Sequence, residues 1–296
     1  MTVGRVDENR HEPGKQIRWC ESWSFDFSSD DGSIGGWARL SLFPNIGRAG
    51  IAWYQAFVTG PQQQLVAVID HAVPLPPSDL EIRTTGLWAT HICETPHDHW
   101  TIGLEAFGLG VDDPGEIYGR QFGDRVPLGF DLEWEAVAPS EPVGRDRYRQ
   151  PCGVTGELLV GSEEIDLDAT GWRAHRWGLF GAWDDRSIDV CGRLDDGTTF
   201  ASTVVNGDLA TAVGTLAGNT ATVGESSLAT GDHGLPVAGR VRLDGVEIGL
   251  DVVGATPLEL VDPEQRVART PHAMCRCTTA DGRAGSAWIE VAEPRS

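Results

Sequence analysis

The sequence predicts an all-β protein made of two antiparallel β-barrels or curved sheets side by side. Three observations predict it. Short alternating or apolar runs recur along all 296 residues, and almost no segment keeps a helical period over the roughly 11 residues that mark a helix. Turn signals separate these runs, and Asp196-Gly197, Asn206-Gly207, Asp244-Gly245 and Asp281-Gly282 fall where hairpins would close. A polar segment with two prolines, APSEPVGRDRYRQ, splits the chain into halves of about one barrel each.

The chain opens on MTVGRVDENRHEPGKQ, which is polar and lacks the apolar stretch of a secretory leader. No run of apolar residues is long enough for a transmembrane helix. The expectation is a cytoplasmic protein whose six scattered cysteines are reduced and mostly buried. The net charge of -21 repels phosphate backbones and anionic membranes, so no nucleic-acid partner is expected.

In the first half, GWARLSLF, GIAWYQAFVTG, QLVAVIDHAV, WTIGLEAFGLGV and GFDLEWEAVA read as strands. Residues 1–138 make the first unit and 139–147 the linker. In the second unit, 148–296, the strands are GELLVGSEEIDL, SIDVCGRL, TFASTVV, VAGRVRL, VEIGLDVV and SAWIEVA. The Gly/Ala/Thr-rich segment 211–231 is either two thin strands or a loop. There is no P-loop, no G-x-G-x-x-G, no G-x-S-x-G and no C-x-x-C, so nucleotide chemistry, a nucleophile elbow and a zinc ribbon lack support.

Three clusters are candidates for chemistry. The densest is GWRAHRWGLFGAW, residues 171–183. As a strand it points Arg173, His175 and Trp177 to one face and Trp172, Ala174 and Arg176 to the other. A face with Arg, His and Trp is costly to bury unless its polar groups are paired. It is either the wall of a site, with His175 moving a proton near neutral pH, or a surface strand whose Trp caps a barrel end. Arg173 can orient His175, hold a carboxylate or pair with Asp184, Asp185 or Asp189. The second cluster is ETPHDHWTIGLEAFG, where His97, His99 and Glu105 share parity, with His91 as a possible fourth metal ligand. A solvated turn is the preferred reading, because the run follows a proline and the spacing from His99 to Glu105 fits a metal site poorly, so no metal is expected there. The third, Cys275-x-Cys277, reads as two buried thiols. The tryptophans crowding the first half are core residues by default, and their number also allows an aromatic-lined cavity.

Several stretches together resemble one family. WCESWSFDFSSDDGSIGGWARLSLFPN is similar to the N-terminal half of AttH-type proteins and carotenoid 1,2-hydratases. Arg149-Gln150-Pro151-Cys152, Val154-x-Gly156, GWRAHRWGLFGAW and the ending GRAGSAWIE resemble their C-terminal half. The resemblance covers most of the chain and implies two lipocalin-like antiparallel barrels. It implies cofactor-independent chemistry on a large apolar molecule, terpenoid, steroid or polyketide-like: hydration or dehydration, isomerisation, or cyclisation. A carrier of such a molecule is the alternative. The family signature Arg-Asp-His-Ser-Trp-Gly stands here as Arg173-Ala174-His175-Arg176-Trp177-Gly178. The resemblance implies His175 as acid/base, oriented by Arg173, with Trp177, Trp183 and Trp172 against the ligand. The Tyr and acid that the hydratases place further on are missing from TTFASTVVNG, residues 198–207. Asp184, or Asp185 beside it, is the expected substitute for that acid.

Overall fold

The computed structural model describes residues 3–118 and 123–295. It is all-β, as predicted, with two large curved antiparallel sheets. The first contains β1 (Trp19–Ser29), β2 (Gly35–Phe43), β3 (Ile51–Gly60), β4 (Gln63–Val73), β5 (Ile82–Thr84), β6 (Leu87–Thr95), β7 (His99–Val111), β8 (Asp124–Ala136), β9 (Glu141–Pro142), β10 (Arg147–Val160) and β11 (Glu163–Leu179). Its order is β4-β3-β2-β1-β11-β10-β8-β7-β6-β5. Leu65–Ala67 of β4 pair with Leu109–Val111 of β7, which closes the sheet into a ring.

The second sheet contains β12 (Ser187–Leu194), β13 (Thr199–Val205), β14 (Val213–Leu216), β15 (Asn219–Ala221), β16 (Ser227–Thr230), β17 (Pro236–Leu243), β18 (Val246–Thr256), β19 (Glu259–Val261), β20 (Val267–Arg269), β21 (His272–Thr279) and β22 (Ala284–Arg295). It runs β15-β14-β13-β12-β22-β21-β18-β17-β16 and stays an open half-barrel. The predicted runs SIDVCGRL and TFASTVV are β12 and β13 residue for residue. Segment 211–231 resolves into thin strands, β14 to β16.

Strand pairing changes sheet after Leu179, not at 139–147. The segment expected as linker contains β9, which pairs with β10, and both β10 and β11 complete the first ring. The proline-rich composition there marks a short edge strand. The consequence is functional: the signature strand β11 lies in the ring, hydrogen-bonded to β1 and β10, rather than opening the second sheet.

Period-two alternation on β1 and β11 sorts their side chains between two compartments. Trp23, Phe25 and Phe27 fill the ring with Trp100, Trp134 and Tyr54. The opposite faces meet the second sheet across a layer of Trp37, Trp53, Phe57, Trp183, Met274 and Trp288. Tryptophan N–H groups stitch this layer: Trp288 donates to the Phe27 carbonyl (3.0 Å), Trp37 to Thr256 Oγ1 (2.8 Å) and Trp183 to the Leu260 carbonyl (3.3 Å). Such pairing lets large indoles be buried without an unsatisfied donor.

Gly171 makes the β1–β11 approach possible. A Cβ there would lie 2.0 Å from the Asp26 carbonyl oxygen. Gly171→Ala is therefore expected to push β11 off β1 and cost about 1–3 kcal/mol, seen as a lower Tm. At Gly249 the nearest atom to an added Cβ is 3.4 Å away, so Gly249→Ala should leave Tm nearly unchanged. Equal effects of the two substitutions would contradict this packing.

Candidate functional site

β11 divides two polar clusters, one on each face. Inside the ring, Arg173 is 2 % exposed and His175 fully buried. Both are answered by an N-terminal segment that carries a 3-10 turn, Arg5–Glu8. Arg173 donates to Glu8 Oε1 (2.5 Å) and Oε2 (3.2 Å), to Tyr148 Oη (3.2 Å) and to Gln150 Oε1. Glu8 also accepts from the His97 amide (2.7 Å) and the Trp100 indole (3.1 Å). Burial opposes ionisation of Glu8, but the Arg173 guanidinium outweighs it and holds the carboxyl below its ordinary range. His175 Nδ1 lies 2.7 Å from the Asp7 carbonyl and Nε2 3.0 Å from Glu21 Oε1. Register explains the neighbours, because Trp23 and Tyr148 are the cross-strand partners of His175. Trp23 stacks on His175 (4.5 Å), and His11 stacks on Trp177 (3.9 Å between centroids, 12° between planes).

On the other face of β11, Trp172, Ala174 and Arg176 line a cleft between the two sheets. An outer chamber of about 210 Å³ and an inner one of about 50 Å³ share Ser24, Arg39, Arg147, Ala174, Asp189 and Glu290. Trp37, Trp172 and Trp288 wall the inner chamber, with Asp26, His272 and Glu290. Asp26 projects here because β1 parity turns it away from Phe25 and Phe27. Its Oδ1 accepts the Trp172 amide at 2.9 Å. Burial pushes the Asp26 carboxyl up to about 8; the charge of Glu290 adds to this, against the Trp172 amide and Arg39. Glu290 behaves oppositely. Burial disfavours its charge, yet Arg39 at 2.7 Å and His272 at 3.5 Å hold it well below the usual carboxylate range. His272 stacks on Trp37 (4.1 Å), and burial lowers its pKa. Two carboxyl groups in one cleft are thus set apart as a neutral acid and an anion.

The sequence-predicted residues separate accordingly. Arg173, His175 and Trp177 share a face as parity required, and Arg173 also reaches the inner chamber. Trp172 lies on the cleft. Trp183 packs between Phe180 and Trp53 in the inter-sheet layer, outside the lining of either chamber. Asp184 does not partner His175. It is exposed and held by Arg18 (2.5 Å) and Arg266 (2.9 Å), while Glu21 takes the position beside the imidazole. Asp185 and Asp189 line the outer chamber, and Asp189 binds Arg147 (2.8 Å). The His97, His99 and Glu105 grouping is not assembled. His97 sits in the turn before β7 at positive φ, with its ring nitrogens beside Ser140 and Gly4, and His99 faces Glu133. His91 is buried against the Leu80 carbonyl. Cys275 and Cys277 are core thiols of the second sheet.

Glu8, Glu21, Asp26 and Glu290 were not singled out from sequence. Asp26 had a readable signal: an acid between two phenylalanines on a strand covered on both faces. Glu8 had none, since its segment carries no periodicity.

The fold is shared with solved structures. The AttH-type protein NE1406 of Nitrosomonas europaea superposes with a TM-score of 0.62 at 14% identity, covering 99% of this chain and 97% of that one. Kievitone hydratase of Nectria haematococca gives 0.59 at 11% identity, covering 99% and 93%. CghA, solved with Sch210972, gives 0.58 at 13% identity, covering 96% and 94%. These establish the AttH-like double lipocalin architecture. No curated protein matches the chain in sequence. One family profile, "Domain of unknown function (DUF7064)", matches residues 4–295.

Proposed function

This chain belongs to the DUF7064 family, and from that premise we propose that it is an acid-catalysing enzyme acting on an apolar small molecule in the inter-sheet cleft. The observation that supports this reading is Asp26, a carboxyl held neutral near physiological pH, facing the same chamber as the ionised Glu290 and three tryptophans. Asp26 gives its proton to a carbon–carbon double bond, or to a hydroxyl that leaves as water. The carbocation that forms is stabilised by the indole faces of Trp172 and Trp288. Glu290 then takes a proton from water adding to the cation, or from the neighbouring carbon. Addition, elimination and double-bond migration are three outcomes of these same steps, and a substrate with a second double bond cyclises. No cofactor enters this sequence. The substrate class is terpenoid, steroid or polyketide-like, and that a structural neighbour is a hydratase fits it. The proton donor therefore moves from His175 to Asp26, because both ring nitrogens of His175 are engaged at the ring end.

The test is deuterium transfer. Incubation in D2O with a panel of apolar alkenes is expected to place one deuterium on carbon, and incubation with tertiary alcohols to give the alkene with loss of water, both read by mass spectrometry. Binding of such molecules with no exchange or conversion across the panel would overturn the enzyme reading.

That outcome would favour a carrier, for which one observation speaks. The concave face of the second sheet holds a separate cavity of about 210 Å³ lined by Ile188, Val190, Val204, Leu228, Leu250 and Ile289. A carrier is expected to lose a co-purifying apolar ligand, seen by native mass spectrometry, in Ile289→Asp and to keep it in Trp172→Ala.

A further inference from the structure

We propose that His11, Glu21 and His175 form a divalent-cation site that fastens the N-terminal segment to the ring. The three come from the N-terminal segment, β1 and β11, and their candidate ligand atoms all lie within 4.8 Å of one another. Among the described residues this is the one such group of three. Glu21 Oε1 is 2.8 Å from His11 Nδ1 and 3.0 Å from His175 Nε2.

Tautomer accounting supports a cation there. The Asp7 carbonyl can only accept, so His175 Nδ1, 2.7 Å from it, carries the hydrogen. In a neutral ring Nε2 then presents a lone pair to a carboxylate oxygen, which is repulsive. A positive centre between them removes the conflict. The surroundings match those of a ligating histidine, whose second nitrogen is held by a carbonyl or carboxylate. His175 Nδ1 has the Asp7 carbonyl, while Asp7 Oδ1 stands 3.7 Å from His11 Nε2, near but outside hydrogen-bond reach. Two imidazoles and one carboxylate suit Zn²⁺ or a similar first-row ion, with water in the remaining position. The side chain of His11 is 22% exposed, which opens that position to solvent. Ligand atoms around tetrahedral zinc stand roughly 3.4 Å apart, so the Glu21 carboxylate must draw back from His175 Nε2, now 3.0 Å away, and His11 must move out, each by a few tenths of an ångström. Its segment lies outside the strands and can do so. This site lies on the opposite face of β11 from the cleft, and it does not depend on the Asp26 chemistry.

The test uses the full chain, stripped with chelator and titrated with CoCl2 and then ZnCl2. Expected results are one Co²⁺ per chain with visible d–d absorption, its displacement by Zn²⁺, and a Tm raised by Zn²⁺. His11→Ala leaves the Glu21–His175 contact in place and is expected to weaken binding at least tenfold, with the metal-free Tm close to wild type. Asp26→Asn is expected to bind metal as wild type does. Absence of stoichiometric binding, or equal binding by His11→Ala, would overturn the site.

Discussion

Asp26→Asn is expected to lower deuterium transfer to carbon by about 10²- to 10⁴-fold, the usual contribution of a positioned general acid. The fold should survive. Asp26 is held neutral, so Asn removes no buried charge, and its side-chain oxygen can still accept the Trp172 amide. The wild-type rate should be level below pH 8 with respect to this group and fall tenfold per unit above it, because only the protonated acid donates. Stability carries the same signature. The folded carboxyl titrates near 8, above its ordinary 3.8, so between these values the folded state binds a proton that the unfolded chain releases. The resulting stability is fully present below about pH 4 and is lost as pH rises toward 8. Urea denaturation across that window should show a decline in wild type that is reduced in Asp26→Asn. An equal decline in both would place the titrating group elsewhere.

Arg173→Ala is expected to have the largest effect on the fold. It leaves Glu8 buried with its cationic partner gone and removes donors to Tyr148 and Gln150. Breaking a buried, hydrogen-bonded ion pair from one side costs about 3–5 kcal/mol. The N-terminal segment is tied to the ring largely through the Glu8 carboxylate and the His11 backbone amide, so hydrogen exchange over residues 4–11 should rise first. Glu8→Gln should cost less, since its amide oxygen still accepts from Arg173. If Arg173→Ala keeps both its Tm and the protection of 4–11, this network is not what docks the segment.

The strand order within each hairpin was legible because alternation and Asp-Gly or Asn-Gly turns are local signals. Gly197, Gly207, Gly245 and Gly282 all adopt the positive φ that such turns require. The sheet to which β10 and β11 belong was not legible. Nothing local to 147–179 distinguishes pairing with β1 and β8 from pairing with β12, since sheet membership is set by long-range contacts. The same holds for the site. Parity sorted 172–177 correctly, but which face meets an open cleft depends on what packs opposite. The N-terminal segment covers the Arg173 and His175 face, and the second sheet stands off the Trp172 face. The resemblance drew attention to β11, and the carboxyl groups that stand on its two faces come from residues 8, 21, 26 and 290, far from 198–207 in sequence.

The most direct measurement is the carboxyl titration of Asp26 itself, followed by 13C NMR of aspartate-labelled protein with Asp26→Asn as the assignment control. A resonance that stays in its protonated position through pH 6 and titrates near 8, absent from the variant, is the predicted result. An Asp26 carboxyl already ionised at pH 5 would contradict the account, because the cleft would then hold two anions and no acid.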